Sequence, residues 1–433
     1  MTRRVYTLVL RMLAPLLWLY MWRRARRAGG QWGILSAGRF GGPDGEAAPG
    51  ALTDPVWVHA VSLGETRAAQ PLVQALLQRG LPVLLTHTTA TGRAEGARLF
   101  GDAIARGQLR QAWLPYDLPG SVARFLDRYA PRCGVLVERE IWPNLLAAAR
   151  DRNVPMTLVS ARFSESSLRQ ARWLGAALRQ ALAGLDAVLA QTDDDARRLR
   201  QAGARMAEVT GNLKFDLALA PGQVEAGRAW RDALGRPVVA LASTREGEDE
   251  MFVQALRARI GGAANDPLYL LIPRHPQRFD EAHARLLAAG LATERRSAGG
   301  SPPGPQTAVL LGDSLGEMAF YYAAADVAVV AGSFAPLGGQ NLIEACAAGT
   351  PVIVGPHTRN FEQAVRDALA AGAAVRVQDA AAAVDTALEL LRDPPRRQAM
   401  QAAALAFTQA HAGATRRTMQ ALQPWLDCSR PRG

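Results

Sequence analysis

The chain carries 49 arginines and one lysine, Lys214, set in Val209-Thr-Gly-Asn-Leu-Lys-Phe-Asp216. Lysine is a compact ammonium on a thin stem and arginine a wide planar fork, so a site that needs a point charge in a narrow slot refuses the exchange. A lone lysine also arises by chance, and it gains meaning only with partners. Candidate partners are acidic. In His59-Ala-Val-Ser-Leu-Gly-Glu65 a carboxylate stands at a strand-to-helix turn, near a helix amino terminus whose dipole favours the ionised form. Ionised, Glu65 can act as a general base; its plainer role is to cap the helix. Val137-Glu-Arg-Glu140 supplies two more carboxylates at a strand end. In an alternating strand Glu138 and Glu140 face the same way, and such a pair beside an apolar strand costs stability unless something uses it. Neutralisation by Arg139 or another arginine is the plainer reading.

The second half offers groups suited to a nucleotide. Ile272-Pro-Arg-His-Pro276 places Arg274 and His275 at a strand end, Leu315-Gly316-Glu317 opens a helix, and Gly338-Gly-Gln-Asn-Leu-Ile-Glu344 opens another. A glycine-rich turn into a helix exposes N–H groups that hold phosphate, and Glu344, one turn inside, suits ribose hydroxyls. Neither G-x-G-x-x-G after the first strand nor G-x-x-x-x-G-K-[ST] occurs, so dinucleotide and P-loop binding are not indicated. Asp193-Asp-Asp195 precedes an amphipathic stretch and reads as capping charge, and His87 and His357 lack metal-ligand spacing.

Short apolar runs alternating with amphipathic segments are needed to position these groups, and they predict a parallel α/β sheet. The expected strands are Val56 to Ala60, Val83 to Thr86, Gln111 to Leu114, Gly134 to Val137, Thr157 to Ser160 and Ala187 to Ala190, with helices such as Ala68 to Arg79 and Val122 to Tyr129 between them. After a pause at 217–236, punctuated by Ala, Gly and Pro, the alternation restarts with Val238 to Ala242, Leu268 to Ile272, Val309 to Leu311, Val327 to Ala331 and Val352 to Val354. This divides the chain into an anchor with a basic flank (1–30), a first βα domain (31–216), a linker (217–236) and a second βα domain with a helical tail (237–433). Two such domains in succession imply ligands in a cleft at the carboxyl ends of the sheets. Residues 295–306 form a Gly, Ser and Pro loop to which no chemistry is assigned.

The net charge of +11 suits an anionic partner such as nucleic acid, a nucleotide or an acidic membrane face. Arginines spread along helices, rather than clustered with aromatics, argue against nucleic acid. Cys133, Cys346 and Cys428 lie far apart without a C-x-x-C pair, which implies a reducing compartment and no structural metal. Val5 to Trp22 is an apolar run interrupted by Arg11 and flanked by arginines. At 1.5 Å per residue it reaches roughly 27 Å, barely the hydrocarbon thickness. A full span and a half-inserted anchor both stay open, because Arg11 is costly at mid-membrane. The basic cluster that follows places the remainder on the cytoplasmic side.

Taken together, His59-Ala-Val-Ser-Leu-Gly-Glu65, Leu114-Pro-Tyr-Asp117, Glu138-x-Glu-Ile-Trp-Pro-Asn144, Gly211-Asn-Leu-Lys-Phe-Asp216, Pro273-Arg-His-Pro276 and Gly338-Gly-Gln-Asn-Leu-Ile-Glu344 resemble the bacterial 3-deoxy-D-manno-octulosonic acid (Kdo) transferases, glycosyltransferase family 30, of lipopolysaccharide core biosynthesis. The resemblance implies a GT-B fold with no catalytic metal or cofactor. It also implies CMP-Kdo as donor and the lipid A precursor as acceptor, at the cytoplasmic face of the inner membrane. By position it casts Glu65 as the base, and Glu138 and Lys214 as stabilisers of the transition state. Pro273, Arg274, Leu315, Gly316, Glu317, Asn341, Leu342, Ile343 and Glu344 become the CMP-binding set. One base and positive charge around a departing phosphate suit a single in-line displacement, hence inversion. The alternatives are another GT-B enzyme using UDP-sugars and, from a different class, a membrane-tethered protein that binds anionic ligands.

Overall fold

The structure is a computed structural model that describes residues 1–28, 32–44, 52–260 and 266–427. It divides into two compact units, one of residues 1–217 with the stretch from Ala412 onward, the other of Ala218–His411.

The first unit is built on a seven-stranded parallel sheet. Its strands are β1 (Val56–His59), β2 (Val83–His87), β3 (Leu109–Trp113), β4 (Cys133–Val137), β5 (Met156–Ala161), β6 (Ala187–Ala190) and β7 (Glu208–Val209), in the order β3-β2-β1-β4-β5-β6-β7. Every residue of β1, β2 and β4 is buried, as expected of a parallel sheet covered on both faces. The order reverses between β1 and β4, whose register pairs Val56 with Cys133 and His59 with Leu136. A reversal of this kind opens a crevice beyond the carboxyl ends of the two strands. Glu65 follows one of them and Glu138 the other.

The second unit repeats the plan with β8 (Val238–Thr244), β9 (Leu268–Pro273), β10 (Thr293–Arg295), β11 (Val309–Leu311), β12 (Val327–Val330), β13 (Val352–Val354) and β14 (Ala374–Arg376), in the order β10-β11-β9-β8-β12-β13-β14. Its reversal falls between β8 and β12. All eleven strands expected from the sequence are present; β7, β10 and β14, two or three residues each and largely exposed or half-buried, carry no continuous apolar run.

Two expectations need correction. Residues 217–236 are not an open linker, since Pro221–Leu234 is a helix with Pro at its first turn and left-handed Gly235 at its end. Trp230 meets the Phe320 ring at 5.8 Å, and a Cβ on Gly227 would lie 2.4 Å from the Phe320 carbonyl oxygen. That glycine is there for close packing, not for punctuation. The tail does not close the second domain either. Its last helix, Ala414–Leu426, packs in the first unit, burying Leu422 and Leu426 beside Leu72 and Leu76. Arg132 donates to the Leu426 carbonyl at 2.6 Å.

Cys133 and Cys346 are free and buried, and burial pushes both thiols up to about 12. Cys428 lies outside the described residues, as do 29–31 and 45–51 ahead of β1. The N-terminal helix runs Arg3–Ala28, long and apolar enough to cross a membrane by length and composition.

Candidate active site

Three of the expected residues meet in the first unit. The chain leaves β4 through Glu138, which adopts a left-handed backbone (φ 63°). In a residue other than glycine such a conformation costs about 1–3 kcal/mol and is a pointer to function. It ends the strand at Val137, so the alternation that would have set Glu138 and Glu140 on one face no longer applies. The turn sends Glu138 to Lys214, whose ammonium stands 2.6 Å from its Oε1, with both side chains more than four-fifths buried. Burial alone would raise the Glu138 carboxyl, but Lys214, with help from Arg162 and Arg139, holds it below the usual range. Glu140 turns elsewhere, accepting from Trp142 Nε1 at 2.8 Å.

Lys214 sits in a short 3-10 turn, Leu213–Asp216, fixed on three sides. Asn212 Oδ1 accepts from the Lys214 N–H at 3.0 Å, Leu213 is fully buried, and Asp216 accepts from the N–H groups of Gly413 and Thr415. The terminal helix therefore buttresses the lysine turn through Asp216, which serves as its cap. Asp216→Ala is expected to cost about 0.5–2 kcal/mol, the usual worth of a lost cap, read as a lower urea midpoint of the first unit. An unchanged midpoint would deny the buttress.

Glu65 lies in the first turn of helix Leu63–Gln78, and its Oε2 accepts from the Val61 N–H at 2.7 Å. The plain capping role is thus real. The expected ionisation is not. Burial, then the charges of Glu138 and Glu140, push the carboxyl up to about 8, outweighing the Val61 hydrogen bond and Lys214. The helix end is one favourable contribution among several, and spacing does not disclose how much water has been removed.

His59 was not singled out by its type. It is fully buried, with Nδ1 against the Thr86 carbonyl at 3.1 Å and hydroxyl at 2.9 Å. Its Nε2 has no hydrogen bond and lies 3.7 Å from Glu140 Oε2. Other motif residues are architectural. Asp117 accepts from the N–H groups of Asn144 (3.1 Å) and Leu145 (2.7 Å), capping helix Pro143–Asp151 from a distant loop. Asp195 binds the Phe163 N–H and the Thr192 hydroxyl, each at 2.7 Å, in keeping with a capping cluster.

The second unit groups the other expected residues at the ends of β9, β11 and β12. Arg274 follows β9 and is half-buried. After β11 the chain turns through Gly316 (φ 81°) to Glu317, which accepts from the Ser314 hydroxyl and pairs with Arg296 at 3.4 Å. Arg296 belongs to the loop that had no assigned chemistry, and its guanidinium lies 4.4 Å over the Phe320 ring. Beyond β12, Gly338 and Gly339 have φ of 92° and 80°, and a Cβ on Gly338 would strike the Asn360 side chain at 2.6 Å. Asn341 Nδ2 donates to Glu344 Oε1 at 2.9 Å. Leu342 and Ile343 are buried, leaving main-chain groups as their only offer to a ligand, whereas Leu315 is 71% exposed.

Two parallel, doubly wound sheets with polar groups gathered at the carboxyl ends of their strands define a protein of the GT-B fold. Residues 36–217 match the family described as 3-deoxy-D-manno-octulosonic-acid transferase (kdotransferase), and 279–406 match glycosyl transferases group 1. The chain is 72% identical to the 3-deoxy-D-manno-octulosonic acid transferase of Bordetella pertussis over 98% of its length and all of the relative's. It is 33% identical to that of Haemophilus influenzae, covering 86% and 87% of the two chains. A solved glycosyltransferase from Rickettsia africae superposes with a TM-score of 0.58 at 14% identity, over 87% of this chain and 100% of that one, a likeness of fold alone. The chain belongs to the 3-deoxy-D-manno-octulosonic acid transferase family.

Proposed function

We propose that this enzyme transfers Kdo from CMP-Kdo to the tetraacyl lipid A precursor at the cytoplasmic face of the inner membrane, inverting the anomeric centre without a metal. The observation that carries the reading is the corner where Glu65, Glu138 and Lys214 meet, in a chain of this family. Glu65 takes the proton from the attacking sugar hydroxyl, and its high affinity for a proton suits that task near neutral pH. Glu138 holds the Lys214 ammonium where negative charge develops, a duty a divalent ion performs in other transferases. Pro273 and Arg274, the turn at Leu315, Gly316 and Glu317, and the segment Asn341, Leu342, Ile343 and Glu344 bind CMP. Phosphate is held by main-chain N–H groups beyond Gly339, whose own N–H goes to the Gly332 carbonyl at 2.6 Å, and Glu344 accepts from the ribose.

The test is incubation of the full chain with CMP-Kdo and the tetraacyl precursor, with and without EDTA, followed by product mass and anomeric configuration. One or more added Kdo units, undiminished by chelator, are expected. A product with the donor's anomeric configuration would sink inversion. CMP should also raise the melting temperature where UDP does not, by an amount that grows with the logarithm of its concentration. Equal protection by UDP would favour a UDP-sugar enzyme.

A further inference from the structure

The N-terminal helix is apolar all round, yet protein covers only one of its faces. Thr7 Oγ1 donates to Asn144 Oδ1 at 3.0 Å, Trp18 packs on Phe40 and Tyr116, and Met21 Sδ lies 3.9 Å from the Tyr116 hydroxyl, which itself donates to the Ile34 carbonyl. At the start, the Met1 carbonyl accepts from Ala177 N–H at 2.9 Å. A helix held against the first unit from its first residue to Met21 lies along that unit. Leu8, Met12 and Leu16 point the other way, 59–72% exposed, and need an apolar cover of their own. At 3.6 residues per turn Arg11 falls roughly 80° from the centre of the docked face, on the flank, where headgroups lie if the helix rests in the membrane plane.

Beneath the docked face is a cavity of about 330 Å³, walled by Leu10, Ala14, Leu17 and Trp18 of the helix and by Leu118 and Trp142 of the domain. Arg39 also borders it, its two terminal nitrogens committed to the carbonyls of Trp32, Leu114 and Thr88 and only Nε left without a bond. The wall is thus almost wholly apolar and within the size range of small-molecule sites. Trp142 joins it to the reactive corner, since its Nε1 donates to Glu140 and the charge of Glu140 acts on Glu65.

Resting on the acceptor proposed above, we infer that this cavity takes one acyl chain of that lipid, threaded between the N-terminal helix and the domain. The chain enters from the exposed apolar face of the helix, and the arginines at both helix ends flank the entry with charge suited to the lipid's phosphates. The shared wall at Trp142 then sets the sugar hydroxyl beside Glu65 while the tail stays out of water.

Two measurements on the full chain in phospholipid vesicles test this. A tetraacyl precursor with a diazirine at the end of an acyl chain should label the segment 10–21 and Trp142, and excess unmodified precursor should suppress the label. Label elsewhere overturns the inference. So does equal, uncompeted label from a photoreactive phosphatidylethanolamine, which would give the cavity to bulk lipid. Second, Ala14→Trp fills the cavity. It should lower the ratio of kcat/KM for the tetraacyl precursor to that for its deacylated disaccharide about tenfold, the worth of two buried methylenes. An unchanged ratio overturns the inference. Should the unaltered enzyme transfer Kdo to neither acceptor, the proposed function falls, while the labelling still decides the cavity.

Discussion

Lys214→Arg is expected to lower Kdo transfer about 10²–10³-fold, the usual loss when one pre-set electrostatic contact to developing charge is removed. The positive charge survives the substitution, so the loss measures shape. The ammonium makes a 2.6 Å contact with Glu138 in a slot where its side chain is 17% exposed. A guanidinium cannot enter on the same stem without displacing the Leu213–Asp216 turn, which Ser160, Asn212 and the terminal helix hold in place. Lys214→Met separates shape from charge. It strands the Glu138 carboxylate in a site where burial favours the neutral form, and removing one partner of a buried pair costs about 3–5 kcal/mol. Adding Glu138→Gln should recover most of that stability but none of the turnover. With Lys214 gone, Glu138 binds its proton more tightly than it does unfolded, so the stability of Lys214→Met should fall further as pH rises. Urea titrations at two pH values and a single-turnover assay suffice. A fully active Lys214→Arg would end the argument that the site demands an ammonium.

The sheets were legible because β1, β2, β4 and β8 are buried on both faces and must be apolar throughout, whereas β7 and β14 lie at edges where no apolar run is required. The terminal helix was assigned to the wrong unit because an amphipathic face states that it is covered, not by what. For the candidate site, residue type pointed to Lys214, and a place at a strand end pointed to Glu65 and Glu138. Their meeting depended on a left-handed turn at Glu138 that a glutamate does not advertise. Arg296 was hidden because its partner Glu317 is 21 residues away and the loop between is compositionally bland. The approach of His59 to Glu140 was hidden for a similar reason, since β1 and β4 become neighbours only once the strand order reverses. Asp117 shows the converse. It stands in a motif of the family, yet its carboxylate caps a helix.

Glu65→Gln is expected to reduce transfer about 10²–10⁴-fold, the range for loss of a positioned general base, while CMP still raises the melting temperature. The pH dependence gives the sharper reading. A carboxyl pushed up to about 8 is largely protonated at pH 7 in the unliganded site, so kcat/KM should climb with pH and level off only near 8. Were Glu65 an ordinary carboxylate, the same limb would lie near pH 4.5. Stability should move the opposite way. The unfolded chain releases this proton near pH 4.5 and the folded one near 8, so the contribution of Glu65 is fully present below pH 4.5 and is lost as pH rises toward 8. Glutamine keeps an oxygen for the Val61 N–H and has no proton to lose. The variant should therefore match the parent below pH 4.5, pull ahead in stability as pH rises toward 8 and keep a constant lead beyond it. The two curves share one cause, because the burial and the charges of Glu138 and Glu140 that make Glu65 reluctant to ionise also make it avid for a substrate proton. A pH–rate profile flat between 5 and 8, or a Glu65→Gln enzyme that still turns over, would separate that carboxyl from the chemistry and leave it a helix cap.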